Sequence, residues 1–319
     1  MLAIIIVSWN VRELLRSCLS SLSQYSATSH HQRVIVVDNA STDGSIEMVR
    51  AVFPEITLIA NSTNRGFTGG NNDGINSAET YFGNQPDSNC YVLLLNPDTV
   101  ATPGALDALL AYADAHEDVG VAGPMLLNAD GTHQSSRRRF PTLATALFES
   151  TWLQPLAPQG LLERYYCQDS DDTTIGNVDW LVGAALLVRR TAYHQVGLLD
   201  DTNFFMYSEE MDWCKRIKSA SVSPRWRIVY LPDAQIIHYE GRSSMQVSAK
   251  RMVYFNTSKV RYFQKHYGTT QARTLRLLLL AQFFGQLVIE SAKWLVRHKR
   301  GLRQERIIAY REVLRSGLR

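Results

Sequence analysis

The chain has 319 residues, enough to bury a sizeable core as one large domain or two smaller ones. Its 45% hydrophobic and 20% charged residues are ordinary for a soluble globular protein, and Cys18, Cys90, Cys167 and Cys214 lack C-x-x-C spacing, which excludes a stapled scaffold and points to free thiols in a reducing compartment. The net charge of +3 is unevenly spread: residues 270–319 carry eleven Lys and Arg against three Glu, a net +8, which leaves −5 for residues 1–269 and turns the basic end toward something anionic.

Leu2–Val7 is expected to be a buried strand that stops at Ser8-Trp9-Asn10. It is too short, and lacks the basic flank, to be a signal peptide. Leu14, Leu15, Cys18, Leu19 and Leu22 follow at helical spacing. A second strand, Val34–Val37, runs into Asp38-Asn39-Ala40-Ser41-Thr42-Asp43-Gly44-Ser45, where Thr42 or Asp43 suits the cap of a helix over Ile46–Val52. Pro54 ends that helix and Ile56–Ala60 is a third strand. The stretch from Asn61 to Gly74 is rich in Gly and Asn, and a helix over about Thr68–Tyr81 starts inside it. Its glycines cost roughly 1 kcal/mol each against alanine, so something must pack tightly against that helix.

Tyr91–Leu95 is the fourth strand. Its uninterrupted apolar run is that of a strand buried on both faces, as in a parallel sheet, and Asn96-Pro97-Asp98 ends it. Asp98 is thereby presented at the carboxyl end of a central strand, where open α/β sheets bind ligands and a carboxylate can hold a hard divalent cation. The plainer alternative is a turn in which Asp98 caps a helix starting near Pro103. With Leu106–Ala113 in that helix, the order β-α-β-α-β-α-β-α implies an α/β fold with a mostly parallel sheet flanked by helices. The second half is less regular. Short strands are expected at Val119–Ala122 and Met125–Leu127, and a longer one at Trp180–Val188. A pair follows at Ile228–Leu231 and Ala234–His238, on either side of Pro232-Asp233. Helices are expected at Glu209–Lys218 and Lys250–Tyr267. Residues 143–174 have no firm periodicity, as in a long loop with some helix.

Six stretches together resemble the family 2 glycosyltransferases of the GT-A fold, above all bacterial rhamnosyltransferases of cell-surface polysaccharide assembly. They are Val7-Ser8-Trp9-Asn10, Val36 to Ser45, Asn64-Arg65-Gly66-Phe67, Asn96-Pro97-Asp98, Glu209 to Arg216, and His238-Tyr239-Glu240-Gly241-Arg242-Ser243. The resemblance implies a GT-A catalytic domain over 1–245, with a nucleotide-sugar half at about 1–125 and an acceptor half at about 126–245, and a helical, basic region over 246–319. It implies that Ser8, Asn10, Asp38, Asn64, Gly66, Phe67 and Asn96 bind the nucleotide-sugar. Asp98 and His238 would be metal ligands for Mn²⁺ or Mg²⁺, and imidazole favours Mn²⁺. Asn96 stands where the family's usual Asp-x-Asp motif has its first carboxylate. Of the adjacent acids, Glu210 matches the catalytic base, with Glu209 the fallback that orients the acceptor; a helix N-terminus would keep the base charged. Gly183, Asp212 and Trp180 fall to the acceptor side, although Asp212 and Arg216 also have the spacing of a simple i,i+4 pair.

The implied reaction is an inverting transfer, most readily from dTDP-L-rhamnose, with UDP-galactofuranose or a UDP-hexose as alternatives, to a polyprenyl-diphosphate-linked saccharide. A sugar-nucleotide pyrophosphorylase would carry a Gly-rich basic loop where Ser8-Trp9-Asn10-Val11-Arg12 stands. A non-catalytic carbohydrate-binding scaffold would not need Asp38, Asp98, Glu210 and His238 together.

In residues 275–296, Gln282, Gln286, Glu290, Lys293 and Arg297 fall in one narrow stripe at about 100° per residue, and nearly everything else is apolar. Charges at Arg276, Glu290 and Lys293 argue against a span. With the basic run His298–Arg306 behind it, the segment 275–306 reads as a helix lying on a membrane surface, which puts the protein in the cytoplasm, peripheral on the inner face of the cell membrane. Packing on the body or in a homodimer is the alternative. The basic tail lacks a base-reading motif, which argues against nucleic acid.

Overall fold

The computed structural model describes residues 1–239 and 248–319. Glu240-Gly241-Arg242-Ser243 and the expected boundary at 245 lie outside the described residues. In chain order the elements are β1 (Leu2–Ser8), α1 (Arg12–Gln24), β2 (Gln32–Asp38), α2 (Ser45–Val52), β3 (Thr57–Ala60), α3 (Gly66–Phe82), β4 (Tyr91–Leu95), β5 (Thr99–Ala101), α4 (Ala105–Ala115), β6 (Val119–Leu127), β7 (His133–Gln134) and β8 (Arg137–Arg138). Then come α5 (Leu143–Phe148), α6 (Leu161–Tyr165), β9 (Gly176–Asn177), β10 (Trp180–Leu181), β11 (Ala185–Arg189), α7 (Arg190–Val196), α8 (Glu209–Lys218), β12 (Arg227–His238), α9 (Ser248–Tyr267), α10 (Thr269–Leu295) and α11 (Arg300–Ser316).

The chain forms two compact units. The first holds Met1–Phe140, Glu163–Asp201 and the stretch from Glu209 through β12. Its main sheet runs β3-β2-β1-β4-β11-β6-β12-β5, with β7 beside β6 and β9 beside β12. Strands β1 and β4 are buried along their whole length, as their apolar runs require. β1 pairs in parallel with β2 on one side and β4 on the other, in a register that sets Ser8 opposite Asp38. α3 crosses this region at close range: a Cβ on Gly74 would sit 2.3 Å from Ile5 Cγ2, and one on Gly70 2.8 Å from Val7 Cγ1. The glycines of this helix thus answer to the side chains of β1.

The sheet is mixed, more so than the run of βα units implies. β11 is antiparallel to both β4 and β6. A strand buried on both faces has the same apolar signature whichever way it runs, so periodicity could not give its direction. Five expected strands are also redrawn, as four. Trp180–Val188 splits, because Trp180–Leu181 pairs with Arg137–Arg138 in a separate ribbon and residues 182–184 turn the chain into β11. Val119–Leu127 is one strand that runs through Pro124. β12 is likewise continuous, since its register against β6 steps from Leu231 opposite Pro124 to Gln235 opposite Met125. Pro232-Asp233-Ala234 therefore forms a bulge, where a proline is tolerated inside a sheet. Residues 143–174 hold α5 and α6 between irregular segments.

The second unit comprises Pro141–Leu162, Thr202–Ser208 and the C-terminal helices. α9, α10 and α11 pack together, and Lys259 of α9 ties to Glu149 beyond α5 at 2.8 Å. Helix α10 buries Leu275, Leu279 and Phe283 together with part of its polar stripe. Gln282 and Glu290, from its polar stripe, are buried, and Glu290 accepts from Arg303 of α11 at 2.7 Å. Its outer face carries Leu277, Phe284, Val288 and Leu295, all exposed.

Candidate active site

The predicted site residues gather along the edge of the sheet where β1, β2 and β4 end. At the end of β2, Asp38 is buried and Oδ1 accepts the Ser41 N–H at 2.8 Å, while Oδ2 has no partner. Ser8, opposite it, is also buried with an unpartnered Oγ. Two adjacent polar atoms left unpaired at strand ends are poised to bind a ligand, since leaving them so costs about 1–3 kcal/mol each. Asp38 is available because Asp43 carries the capping load: Oδ2 takes the Arg12 N–H at the start of α1, and Oδ1 takes the Ser45 N–H and hydroxyl at the start of α2.

Other predicted nucleotide-side residues shape the crevice. The Asn10 carboxamide oxygen accepts the Thr42 N–H at 2.8 Å, and Asn10 itself adopts a left-handed conformation at φ 53°. Asn64 Oδ1 accepts the Gly66 N–H at 2.8 Å, and Gly66, at φ 75°, starts α3. Phe67 follows, half-buried. Sequence reasoning missed the network behind this turn. Asn39 Nδ2 donates to the Gly66 carbonyl, Asn61 Nδ2 reaches Asn39 and Asp73, and Arg65 pairs with Asp73. The polarity of these side chains in a Gly-rich stretch was the available signal.

Asp98 does not cap a helix, because β5 intervenes and α4 begins only at Ala105. Instead its Oδ1 lies 3.4 Å from His238 Nε2, and both side chains are buried. β5 pairs His238 with Thr99, and the Tyr239 N–H donates to the Asp98 carbonyl at 2.8 Å, so strand pairing brings together residues 140 positions apart. Asn96 completes the group: Nδ2 is 3.5 Å from His238 Nε2 and Oδ1 is buried without a partner. Among the described residues no cluster of three His, Cys, Asp or Glu converges. The donor set is one carboxylate, one imidazole and one amide oxygen. The buried carboxylate, the imidazole and the amide whose oxygen is left without a partner are a donor set that would suit a divalent cation.

The base candidates stand next to this group. The Asn96 N–H donates to the Ala184 carbonyl at 2.9 Å, and the neighbouring Gly183 lies against Glu210, whose Cβ would be 3.6 Å from a Cβ placed on the glycine. Glu209 is buried and Glu210 half-buried, and each keeps an unpartnered, buried Oε2. Burial pushes both carboxyl groups above the usual carboxylate range; the charge of Glu210 raises Glu209 further, while backbone N–H groups and the Arg138 guanidinium draw Glu210 back down. The expected hold of the helix N-terminus on a charged base is therefore outweighed by desolvation.

Two predicted acceptor-side residues do structural work. Asp212 is fully buried and accepts from Arg216 Nε at 2.8 Å, while that guanidinium bonds the Val196 and Leu198 carbonyls. The Trp180 indole N–H donates to the Arg139 carbonyl at 3.0 Å from a buried position. Both side chains are thus turned into the protein and bonded to neighbouring side-chain or backbone groups. Gly183 does lie in the site, against Glu210.

A mixed sheet of this order, with a strand-end carboxylate and an acidic pair on one edge, defines a GT-A-like fold. The model of the family "Glycosyl transferase family 2" matches residues 3–197, and the chain belongs to that family and is a glycosyltransferase. It is 31% identical over 245 residues to N-acetylglucosaminyl-diphospho-decaprenol L-rhamnosyltransferase of Mycobacterium tuberculosis, covering 76% of this chain and 77% of that one. It is 28% identical over 269 residues to rhamnosyltransferase WbbL of Escherichia coli K12, covering 83% and 93%. Among solved structures, mannosyltransferase PcManGT from Pyrobaculum calidifontis, in complex with GDP-Man and Mn²⁺, superposes with a TM-score of 0.53 at 14% identity, over 98% of this chain and 86% of that one.

Proposed function

We propose that this glycosyltransferase inverts the anomeric centre as it moves L-rhamnose from dTDP-L-rhamnose to a polyprenyl-diphosphate-linked saccharide, in cell-surface polysaccharide synthesis. The observation that carries the reading is the convergence of Asp98, His238 and Asn96 beside Glu210 on one sheet edge. The sugar and the lipid-linked acceptor follow the names of the two relatives. Asp38 and Ser8 take hydrogen bonds from the nucleoside. Asp98, His238 and Asn96 would hold Mn²⁺ or Mg²⁺, which when bound neutralises charge on the leaving diphosphate. Glu210 accepts the proton of the attacking hydroxyl. Glu209, buried deeper and driven toward its neutral form, lets Glu210 carry the pair's negative charge. A single in-line displacement needs no protein nucleophile. Release of nucleoside diphosphate from a panel of sugar nucleotides, with and without Mn²⁺, tests this. dTDP-L-rhamnose should be turned over fastest and chelation should suppress it; undiminished turnover with chelator overturns the metal assignment.

The acceptor would be met at the inner leaflet, with the protein cytoplasmic and peripheral. α10 is long and apolar enough, by length and composition alone, to cross a membrane. Crossing would carry with it the guanidinium of Arg303, which is bound to Glu290, and the other charges of α11. Lying in the interface instead buries Leu277, Phe284, Val288 and Leu295 in the acyl boundary and leaves Lys299, Arg300 and Arg306 for anionic headgroups.

A further inference from the structure

His238 does not stand alone. Its Nδ1 lies 2.7 Å from Gln134 Oε1. Gln134 Nε2 donates to Asn128 Oδ1 at 3.1 Å, Asn128 Nδ2 donates to Thr132 Oγ1 at 2.9 Å, and the Thr132 hydroxyl donates to Asp130 Oδ1 at 2.6 Å. The turn that holds these residues is closed by two backbone bonds, Asn128 N–H to the Thr132 carbonyl at 2.8 Å and Gly131 N–H to the Asn128 carbonyl at 2.9 Å.

We infer that Gln134, aligned by the Asn128–Thr132–Asp130 chain, is a positioning residue that locks neutral His238 in the Nδ1–H tautomer and so aims the Nε2 lone pair at Asp98 and Asn96. The direction of the relay follows from its far end. An ionised carboxylate only accepts, so the Thr132 hydroxyl must donate to Asp130 and has only lone pairs left for Asn128. That lone pair fixes the Asn128 amide with its nitrogen toward Thr132 and its oxygen toward Gln134. The Gln134 amide is fixed in turn, with its oxygen toward the imidazole, and Nδ1 has to carry the proton. Reversing the chain would sacrifice the bond from hydroxyl to carboxylate, the charge-assisted and stronger link. With no proton on Nε2, its lone pair faces Asp98 Oδ1 at 3.4 Å and the Asn96 amide nitrogen at 3.5 Å, the oxygen of that amide being left without a partner. A histidine's second nitrogen is commonly tied in this way, and losing the tie costs about 10–100-fold in metal affinity.

The functional consequence rests on the reading of His238 as a metal ligand, but the tautomer does not, and the two fail separately. Long-range ¹H–¹⁵N correlation spectra of metal-free, ¹⁵N-histidine-labelled protein read the tautomer directly, with the His238 signals identified by their loss in His238→Ala. The wild type should show a protonated Nδ1 and a bare Nε2. Gln134→Leu and the remote, exposed-site Thr132→Val should both mix the tautomers, and Gln134→Glu should restore the Nδ1–H form. Titration of Mn²⁺ in the presence of thymidine diphosphate should show a 10–100-fold weaker site in Gln134→Leu. A wild type protonated at Nε2, or a tautomer unmoved by both Gln134→Leu and Thr132→Val, overturns the inference. Mn²⁺ affinity unmoved in His238→Ala overturns the metal reading of the proposed function and leaves the tautomer result standing.

Discussion

Glu209, buried, and Glu210, half-buried, stand side by side at the start of α8, and their environment decides which chemistry each can do. Burial raises both above the ordinary carboxylate range, so the working base gains its charge only as pH climbs past that range. The acid limb of kcat/KM should therefore lie above the usual glutamate value of about 4.3, and Glu210→Gln should lower turnover by about 10²–10⁴ across the profile, read as nucleoside diphosphate release. Full turnover in that variant would remove the assignment. Stability follows the same shift. The folded carboxyl of Glu209 keeps a proton that the unfolded chain gives up, so its contribution is complete below the unfolded pKa and fades as pH rises toward the folded one. Glu209→Gln mimics the protonated form. Its melting temperature should match wild type at low pH and exceed it at pH 8, and equal pH dependence in the two proteins would count against the shift.

At the scale of elements, α3 and α10 both break the usual composition of a helix for reasons found in their neighbours. α3 spends glycine at positions where the side chains of β1 come too near for a Cβ, and this holds the Gly66 turn close to the ends of β1 and β2. Gly74→Ala would press on Ile5 and should destabilise the protein by about 1–3 kcal/mol in chemical denaturation, the usual cost of overpacking. A neutral effect would mean that β1 yields. α10 buries glutamate and glutamine against its own bundle and presents Leu277, Phe284 and Val288 outward. Replacing these three with serine should weaken sedimentation with vesicles containing anionic lipid at least tenfold, while turnover of a soluble acceptor analogue is unchanged. Unaltered sedimentation would hand the exposed stripe to a protein partner, such as a second copy.

Over the whole molecule the charge is divided, with −5 on residues 1–269 and +8 on residues 270–319. Attraction of the basic end to anionic lipid is screened within about 8 Å at physiological salt, so vesicle binding should fall steeply between 50 and 300 mM salt, as followed by co-sedimentation. Retained binding at high salt would mean that the apolar face alone suffices. The catalytic candidates lie in the first unit, and the apolar stripe and the whole of the basic stretch lie in the second.

The sequence by itself determined the local features. Apolar runs such as Tyr91–Leu95 had to be buried strands, Asn96-Pro97-Asp98 had to end one, and the acidic pair had to open a helix, because each follows from periodicity and backbone chemistry over a few residues. Only the tertiary structure decided that β11 runs antiparallel, that Asp212 and Trp180 face inward, that desolvation outweighs the helix N-terminus at Glu210, and that Gln134 stands behind His238. Those outcomes depend on which distant side chain or strand lies a few ångströms away. Strand pairing and burial fix that, and spacing along the chain does not record it.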